Sequence, residues 1–148
     1  MALIIKKYNN SDLEDFLSLI MKREIEENKP YYNKEVMSSL DEKNLFFLSL
    51  IDKKLFGYIY VYKRQFLKGL KVEGEEAEIH DAYILSDYRN KGHYKEFKKK
   101  VIECIKEENV KRIFSDVSIN NLPCISVNRS LKMDEKKNYD SIRFYLDF

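Results

Sequence analysis

The stretch AEIHDAYILSDYRNKGHYKEF, residues 77–97, combines a strand pattern, a polar loop and the first turn of a helix. The strand Ala77–Leu85 breaks at residues 86–88, and Gly92 stands directly before the helix. Free backbone N–H groups and the positive end of the helix dipole favour an anion there. Positive charge in this loop comes from Arg89, Lys91 and Lys95. The stretch predicts a site for a pyrophosphate, although a single glycine in a basic loop is also typical of an ordinary turn.

The segment before residue 44 predicts one strand and two helices. Leu3–Lys7 is the strand, and Ser11 with Glu14 fits a capping box that opens the first helix. Pro30 ends this helix and begins a second one, Tyr31–Leu40. The first helix has an apolar stripe of Leu13, Phe16, Leu17 and Ile20.

A β-hairpin follows, with runs at residues 45–51 and 55–62 around a polar turn at residues 52–54. Strict alternation in the second run predicts one aliphatic and one aromatic face. The aromatic face, Phe56, Tyr58, Tyr60 and Tyr62, either packs under a helix or lines a cleft for an acceptor. Residues 63–74 are expected to be a charged connection.

The remainder predicts a helix, a strand, a helix and a final strand. The helix after Gly92 has Phe97, Val101, Ile105 and Cys104 on its inner face and Lys98–Lys100 outside. Lys111–Ser118 is the next strand, residues 121–131 are a helix, and residues 142–148 are the last strand. The element order is β α α β β β α β α β, which predicts one α/β domain over residues 1–148.

Composition excludes several classes of protein. The chain has 148 residues, 44% of them hydrophobic, and a net charge of +2, which gives no bulk attraction to nucleic acid or membranes. No apolar run is long enough to span a membrane, and residues 1–7 lack the pattern of a secretory signal. Cys104 and Cys124 form neither a disulfide framework nor a zinc motif. We therefore expect a cytoplasmic monomer or homodimer without a metal.

Two motifs resemble the GCN5-related N-acetyltransferase (GNAT) superfamily. The segment RNKGHY, residues 89–94, is similar to the family's acetyl-CoA motif Q/R-x-x-G-x-G/A, with Tyr94 in place of the last small residue. The segment NLPCISVNRSLKM, residues 121–133, resembles the family's N-x-x-A-I-x-L-Y-x-x-L-G-F. The resemblance covers nearly the whole chain and implies a mixed, mostly antiparallel central sheet with helices on both faces.

The resemblance also implies where acetyl-CoA binds. In the family the fourth strand splays from the fifth, and the pantetheine arm lies between them against the strand backbone. The pyrophosphate then meets the backbone amides of the loop and of the helix that follows. The positions that match are Ile84, Leu85, Arg89, Asn90, Lys91, Gly92, His93, Tyr94, Lys95 and Asn121.

Acetyl transfer to an amine needs a proton acceptor and a donor for the leaving thiolate. Glu78 matches a glutamate of the histone-acetylating members in the same tripeptide Ala-Glu-Ile, and is our candidate base. Alternation predicts that His80 shares the face of Glu78, with Asp81 on the opposite face, so His80 could relay a proton through water. The family's usual acid, a tyrosine, is replaced by Asn128, whose amide can only hydrogen-bond the thiolate. Tyrosines that could replace it are Tyr83, Tyr94 and Tyr139.

Simpler interpretations stay open. Glu78 is also typical of a solvated strand end, His80 of a hydrogen-bonded side chain, and Lys98–Lys100 of a solvated helix face rather than a site for phosphate. The acidic residues Glu73, Glu75, Glu76 and Asp81 would attract a cationic acceptor such as a polyamine or a lysine-bearing peptide. Two other functions remain: a catalytically degenerate member that senses CoA or binds a protein, and a salt-sensitive nucleic-acid-binding protein.

Overall fold

The computed structural model describes residues 2–32, 37, 40 and 43–148. Its elements are β1 (Leu3–Lys7), α1 (Leu13–Glu27), β2 (Asn44–Ile51), β3 (Lys54–Lys68), β4 (Lys71–Ile84), α2 (His93–Lys106), β5 (Arg112–Ser118), α3 (Leu122–Ser130), β6 (Asp134–Lys137) and β7 (Ser141–Asp147). The strands form one sheet in the order β1-β2-β3-β4-β5-β7-β6. Only β4 and β5 are parallel among the paired strands of the described residues. The predicted α/β class and the mixed, mostly antiparallel sheet are confirmed.

Helices cover both faces of the sheet. On one face α2 and α3 bury Phe97, Val101 and Ile125 against aliphatic strand residues. On the other face α1 buries Phe16 and Ile20 against the aromatic residues of β2 and β3. One sheet face is therefore covered by α2 and α3 together, and the other by α1.

The predicted faces of β3 are wrong for two residues, Leu55 and Phe56. A β-bulge pairs Ser49 with Gly57 but Leu50 with Leu55, which leaves Phe56 as the extra residue. Phe56 consequently packs with Ile59 in the aliphatic core, while Leu55 joins the aromatic side. Periodicity alone assumes an unbroken pleat and cannot locate such a bulge.

The charged connection predicted over residues 63–74 is also wrong. β3 continues to Lys68, and β4 begins at Lys71 after a turn at Gly69 and Leu70. The two strands form one long antiparallel hairpin whose outer half is mostly solvated. A charged strand that is not covered by a helix lacks the apolar alternation on which strand prediction depends.

Three further expectations need correction, and a fourth falls mostly outside the described residues. Asn9 and Asp12, not Ser11 and Glu14, form the capping box before α1. Lys98 is buried in α2, although the lysine run predicted it outside, whereas Cys104 is exposed. The short edge strand β6, all of it exposed, was not predicted. The second predicted helix, Tyr31–Leu40, lies mostly outside the described residues.

Gly57 is a point of close approach at the centre of the sheet. A Cβ atom added there would lie 2.8 Å from the carbonyl oxygen of Tyr83 and 2.9 Å from Ser49 Oγ. Backbone cannot retreat from such a contact as a flexible side chain can. The absence of a side chain at Gly57 is therefore what lets β3 pack against the end of β4.

We predict that Gly57→Ala lowers the stability of the fold. Overpacking of this kind costs about 1–3 kcal/mol, or roughly 3–10 °C in Tm for a domain of this size. The matched control is Gly69→Asn, because a Cβ at Gly69 meets nothing within 4 Å and asparagine tolerates its φ of +65°. Thermal unfolding checks both; equal melting temperatures for the two variants would contradict the prediction.

Candidate active site

The central feature of the site is the point at which β4 leaves β5. The parallel pairing covers only Glu76–Glu78 against Arg112–Phe114, and the two strands diverge beyond it. A cleft of about 870 Å³ lies in the gap, between the end of β4, the end of β5 and the start of α3. The geometry is the splayed pair of strands that the family resemblance implies.

Side chains satisfy part of the open edge of β4 beside the cleft. The N–H of Ala82 donates to Asp81 Oδ1 at 3.0 Å. The carbonyl of Ile84 accepts from Arg89 Nε at 2.8 Å. Buried backbone groups need partners, so these contacts compensate for the ladder bonds that are lost when β5 departs.

The basic loop closes one end of the cleft. Asn90 and Gly92 both have left-handed backbone, with φ of +60° and +81°, and α2 begins directly after Gly92. The backbone N–H groups of the first helical turn have no partner within the helix, and the dipole adds positive potential there. Among the predicted cofactor residues, those lining the cleft are Ile84, Arg89, Asn90, Gly92, Tyr94, Lys95 and Asn121.

Three predicted cofactor positions, Leu85, Lys91 and His93, are not part of that lining. Leu85 packs against both cores, and its N–H donates to the Phe56 carbonyl at 2.8 Å. The His93 ring contacts that of Phe56, at 5.7 Å between centroids. Leu85 and His93 therefore support the walls of the cleft from behind, and Lys91 is exposed.

Glu78 lies at the last paired position before the strands diverge. Its Oε2 is 3.7 Å from Nδ1 of His80, so the structure brings the two predicted residues together. The prediction for Asp81 is wrong: β4 bulges at His80, and the register opposite Tyr60 and Tyr62 puts Asp81 on the same face as Glu78. His80 is exposed and lines the cleft, which makes it the link between Glu78 and the open volume.

Arg23 is a buried residue of the site that the sequence analysis missed. It projects from α1, contributes to the cleft wall, and donates to Asp81 Oδ2 at 2.6 Å and Glu27 Oε2 at 2.6 Å. Burial opposes its charge most strongly, but the hydrogen bond and charge of Asp81, together with Tyr58 and Glu27, outweigh burial and raise the pKa of Arg23. Arg23 lies seven residues after Phe16 and three after Ile20, which is helical spacing along the apolar stripe of α1. A charged residue at a position of that stripe is the sequence signal that could have identified Arg23.

Behind the cleft, Asn128, which the sequence resemblance matches to the family's tyrosine, is fully buried. Its Oδ1 accepts a hydrogen bond from the Lys98 ammonium, and its Nδ2 lies 3.8 Å from Cys124 Sγ. Asn128 is absent from the lining of the cleft, whereas Cys124 and Tyr94 belong to it. The amide predicted to face the thiolate is thus engaged with a buried lysine.

Lys98 and the three candidate tyrosines differ in their ability to donate a proton to the leaving thiolate. Burial lowers the pKa of Lys98. Burial, together with Cys124, raises the pKa of Tyr94, and burial with the Glu26 hydrogen bond raises that of Tyr83. Tyr139 is fully exposed on the β6–β7 hairpin. Raised phenol pKa values make Tyr83 and Tyr94 weak acids for a thiolate.

Two features are absent from the described residues, a metal-binding cluster and a membrane-spanning helix. No group of three or more His, Cys, Asp or Glu side chains there has metal-binding geometry. In the same part of the chain no helix has the length and apolar character needed to cross a bilayer.

Comparison with known proteins identifies this fold and then the family. An aminoglycoside acetyltransferase from an uncultured soil metagenomic sample is 20% identical, with a TM-score of 0.75 over 93% of this chain and 91% of its own. The ribosomal-protein-S18-alanine N-acetyltransferase of Escherichia coli is 17% identical, with a TM-score of 0.70 over 97% and 91%. Arabidopsis thaliana NAA60, solved in complex with acetyl-CoA, is 16% identical, with a TM-score of 0.73 over 99% and 100%.

The acetyltransferase (GNAT) family model matches residues 10–133. The chain therefore belongs to the GNAT family, as the two sequence motifs predicted. No sequence among curated proteins matches it.

We predict that Lys98 makes stability depend on pH. Its folded-state pKa is lowered, so the unfolded chain holds more protons between that value and the ordinary lysine pKa near 10.4. The free energy of unfolding contributed by Lys98 must then rise as pH rises through this window. Relative to Lys98→Met, the wild type should gain stability as pH rises toward the ordinary lysine pKa of about 10.4, as measured by urea unfolding.

Lys99→Met is the matched control, because Lys99 is the exposed neighbour on the same helix. Its difference from the wild type should stay constant over the same pH range. Parallel curves for wild type and Lys98→Met would show that Lys98 keeps an ordinary pKa in the fold.

Proposed function

We propose that this chain transfers the acetyl group of acetyl-CoA directly to a primary amine, with Glu78 as the general base acting through His80 and water. The observation that carries the proposal is the splayed β4–β5 cleft, which has a basic helix N-terminus at one end and His80 in its lining. Glu78, the last paired residue before the strands diverge, lies outside that lining and contacts His80 at 3.7 Å. The family membership supports acetyl transfer, and NAA60 is a fold relative solved with acetyl-CoA.

The cleft suits the parts of acetyl-CoA in turn. The pyrophosphate would accept hydrogen bonds from the N–H groups at the start of α2, with Arg89 and Lys95 adding positive charge. The pantetheine amides would lie along the open edge of β4, near Ile84. The Asn121 side chain caps α3 by accepting from the Cys124 N–H at 3.3 Å, which holds that wall of the cleft in place.

The chemistry requires a neutral amine. Its nitrogen attacks the thioester carbonyl carbon, a C–N bond forms, and the C–S bond breaks. The proton released by the amine passes to Glu78 through His80 and water. Since Asn128 is held by Lys98, we assign the protonation of the leaving thiolate to water in the open cleft.

We predict that acetyl-CoA and CoA, but not ATP, stabilise the protein in a thermal-unfolding titration. Ligand at 100 times its Kd contributes about 2.7 kcal/mol, a shift of roughly 5–10 °C. Gly92→Val should raise the Kd for CoA at least about tenfold, because a β-branched residue resists a φ of +81° and distorts the loop. Asn90→Gly, which keeps left-handed backbone in the same loop, is the control. Equal shifts with ATP would argue against a CoA site.

We predict that Glu78→Gln lowers kcat by about 10²- to 10⁴-fold at neutral pH and leaves the Kd for CoA unchanged. The isosteric amide keeps the volume of the carboxylate but cannot accept the proton. Glu76→Gln is the matched control, since Glu76 lies two residues earlier on β4 and pairs with Arg64. Steady-state kinetics with any accepted amine decides the point, and an unchanged kcat for Glu78→Gln would remove Glu78 from the mechanism.

A second candidate function is a catalytically degenerate member of the family that senses CoA. The observation in its favour is the buried Asn128–Lys98 pair at the position of the family's acid. Binding of CoA without turnover of any amine would support this alternative.

A further inference from the structure

A smaller cavity adjoins the cleft on the side of α1. Its volume is about 240 Å³, it is partly open, and its described lining comes from α1, β2, β3 and β4 together with residues 31, 32 and 37. His80 and Asp81 line both this cavity and the larger cleft. A molecule seated in the small cavity therefore has its exit next to the pair Glu78 and His80.

Most of the described lining residues of the cavity carry a ring. Phe16 contacts Phe46 at 5.1 Å between centroids, Phe46 contacts Tyr60 at 4.6 Å, and Tyr60 contacts His80 at 5.6 Å. This row of aromatic side chains runs from the core to the residue beside the candidate base. An aromatic or branched apolar group placed there would meet ring faces and edges along its whole length.

The charges around the cavity are largely neutralised. Asp81 is held by Arg23 at 2.6 Å, and farther along β4 Glu76 pairs with Arg64 at 2.9 Å. Neither a lysine nor an arginine is among the described lining residues. Two residues of the acidic cluster that was expected to attract a polycation, Glu76 and Asp81, are thus engaged in internal ion pairs. Glu78, next to His80, is the carboxylate that we expect to meet a single ammonium group.

We infer that the acceptor is a primary amine with an aromatic or branched apolar group a few bonds from the nitrogen, and that this group binds in the 240 Å³ cavity. A dry cavity of about 150 Å³ in another protein accommodates benzene, so the volume here is ample for a phenyl or indole ring. The amine would then project past His80 toward Glu78. This inference rests on the proposed function and specifies its acceptor.

The acceptor chemistry has two sources, a free arylalkylamine and a peptide whose N-terminal residue is aromatic. The test compares 2-phenylethylamine and a peptide beginning with Phe against spermidine, kanamycin and an N-blocked lysine peptide. We expect kcat/KM for one of the first two to exceed that for the last three by at least about 100-fold. Which of the first two is preferred identifies the source. Equal or better turnover of spermidine, kanamycin or the lysine peptide would overturn the inference.

Two variants assign the preference to the cavity. Tyr60→Ala removes the ring next to His80 and should raise the KM for the aromatic amine at least about tenfold with the KM for acetyl-CoA unchanged. Tyr60→Phe keeps the ring and should retain the preference, and Phe148→Ala, which truncates an exposed ring that lines neither cavity, is the control. An unchanged KM in a folded Tyr60→Ala variant would count against the cavity.

Calorimetry separates this inference from the proposed function. Binding of 2-phenylethylamine or of the Phe peptide to the wild type, weakened in Tyr60→Ala, supports the cavity even where no turnover occurs. If CoA binds and neither aromatic amine does, the inference is wrong while the CoA site stands. If neither CoA nor any aromatic amine binds, both are wrong.

Discussion

The divergence of β4 from β5 after Glu78 is the constraint on which the rest of the structure depends. A strand that loses a neighbour within a sheet exposes N–H and C=O groups that must find other partners. In this chain Asp81 and Arg89 supply two of those partners on β4. Both side chains are in turn fixed by residues of α1, since Arg23 holds Asp81 and Glu26 lies 3.3 Å from Arg89. The opening of the cleft and the docking of α1 are therefore one coupled arrangement.

Two buried cations stand on opposite sides of this arrangement and differ in kind. Arg23 has carboxylate partners, so its charge is matched and its planar donors are used in a fixed geometry. Lys98 has only the neutral amide of Asn128 as its described hydrogen-bond acceptor, which leaves the desolvation of its charge largely uncompensated. A tyrosine at position 128 would have to share that space with the ammonium. The residue that departs from the family pattern is thus explained by its neighbour on α2.

The sequence was sufficient for the elements whose pattern is local. The strand, loop and helix of residues 77–97 follow from apolar alternation, one glycine and helical spacing, and all three are present. It failed where long-range packing overrides local pattern. Lys98 reads as part of a solvated run because its buried partner is thirty positions away, and the bulges at Phe56 and His80 depend on which strand lies alongside. The β6 edge strand contains no apolar residue, so its sequence has no alternation that would predict a strand.

The candidate site also has one part that follows from local sequence and one part that depends on long-range packing. The residues of the basic loop are contiguous in sequence, so a short motif is enough to assemble them. The cavity beside His80 is built from Phe16, Phe46 and Tyr60, which come from three elements and meet only in the folded chain. Alternation of the sequence left open whether the aromatic side of β3 packs under a helix or lines a cleft. In the structure this side contributes both to the α1 core and to the small cavity. Tyr58 is buried in the α1 core and also lines the cavity, while Tyr60 continues the row to His80. On our inference that this cavity binds the acceptor, acceptor preference depends on how α1 packs on the sheet, and no short motif encodes it.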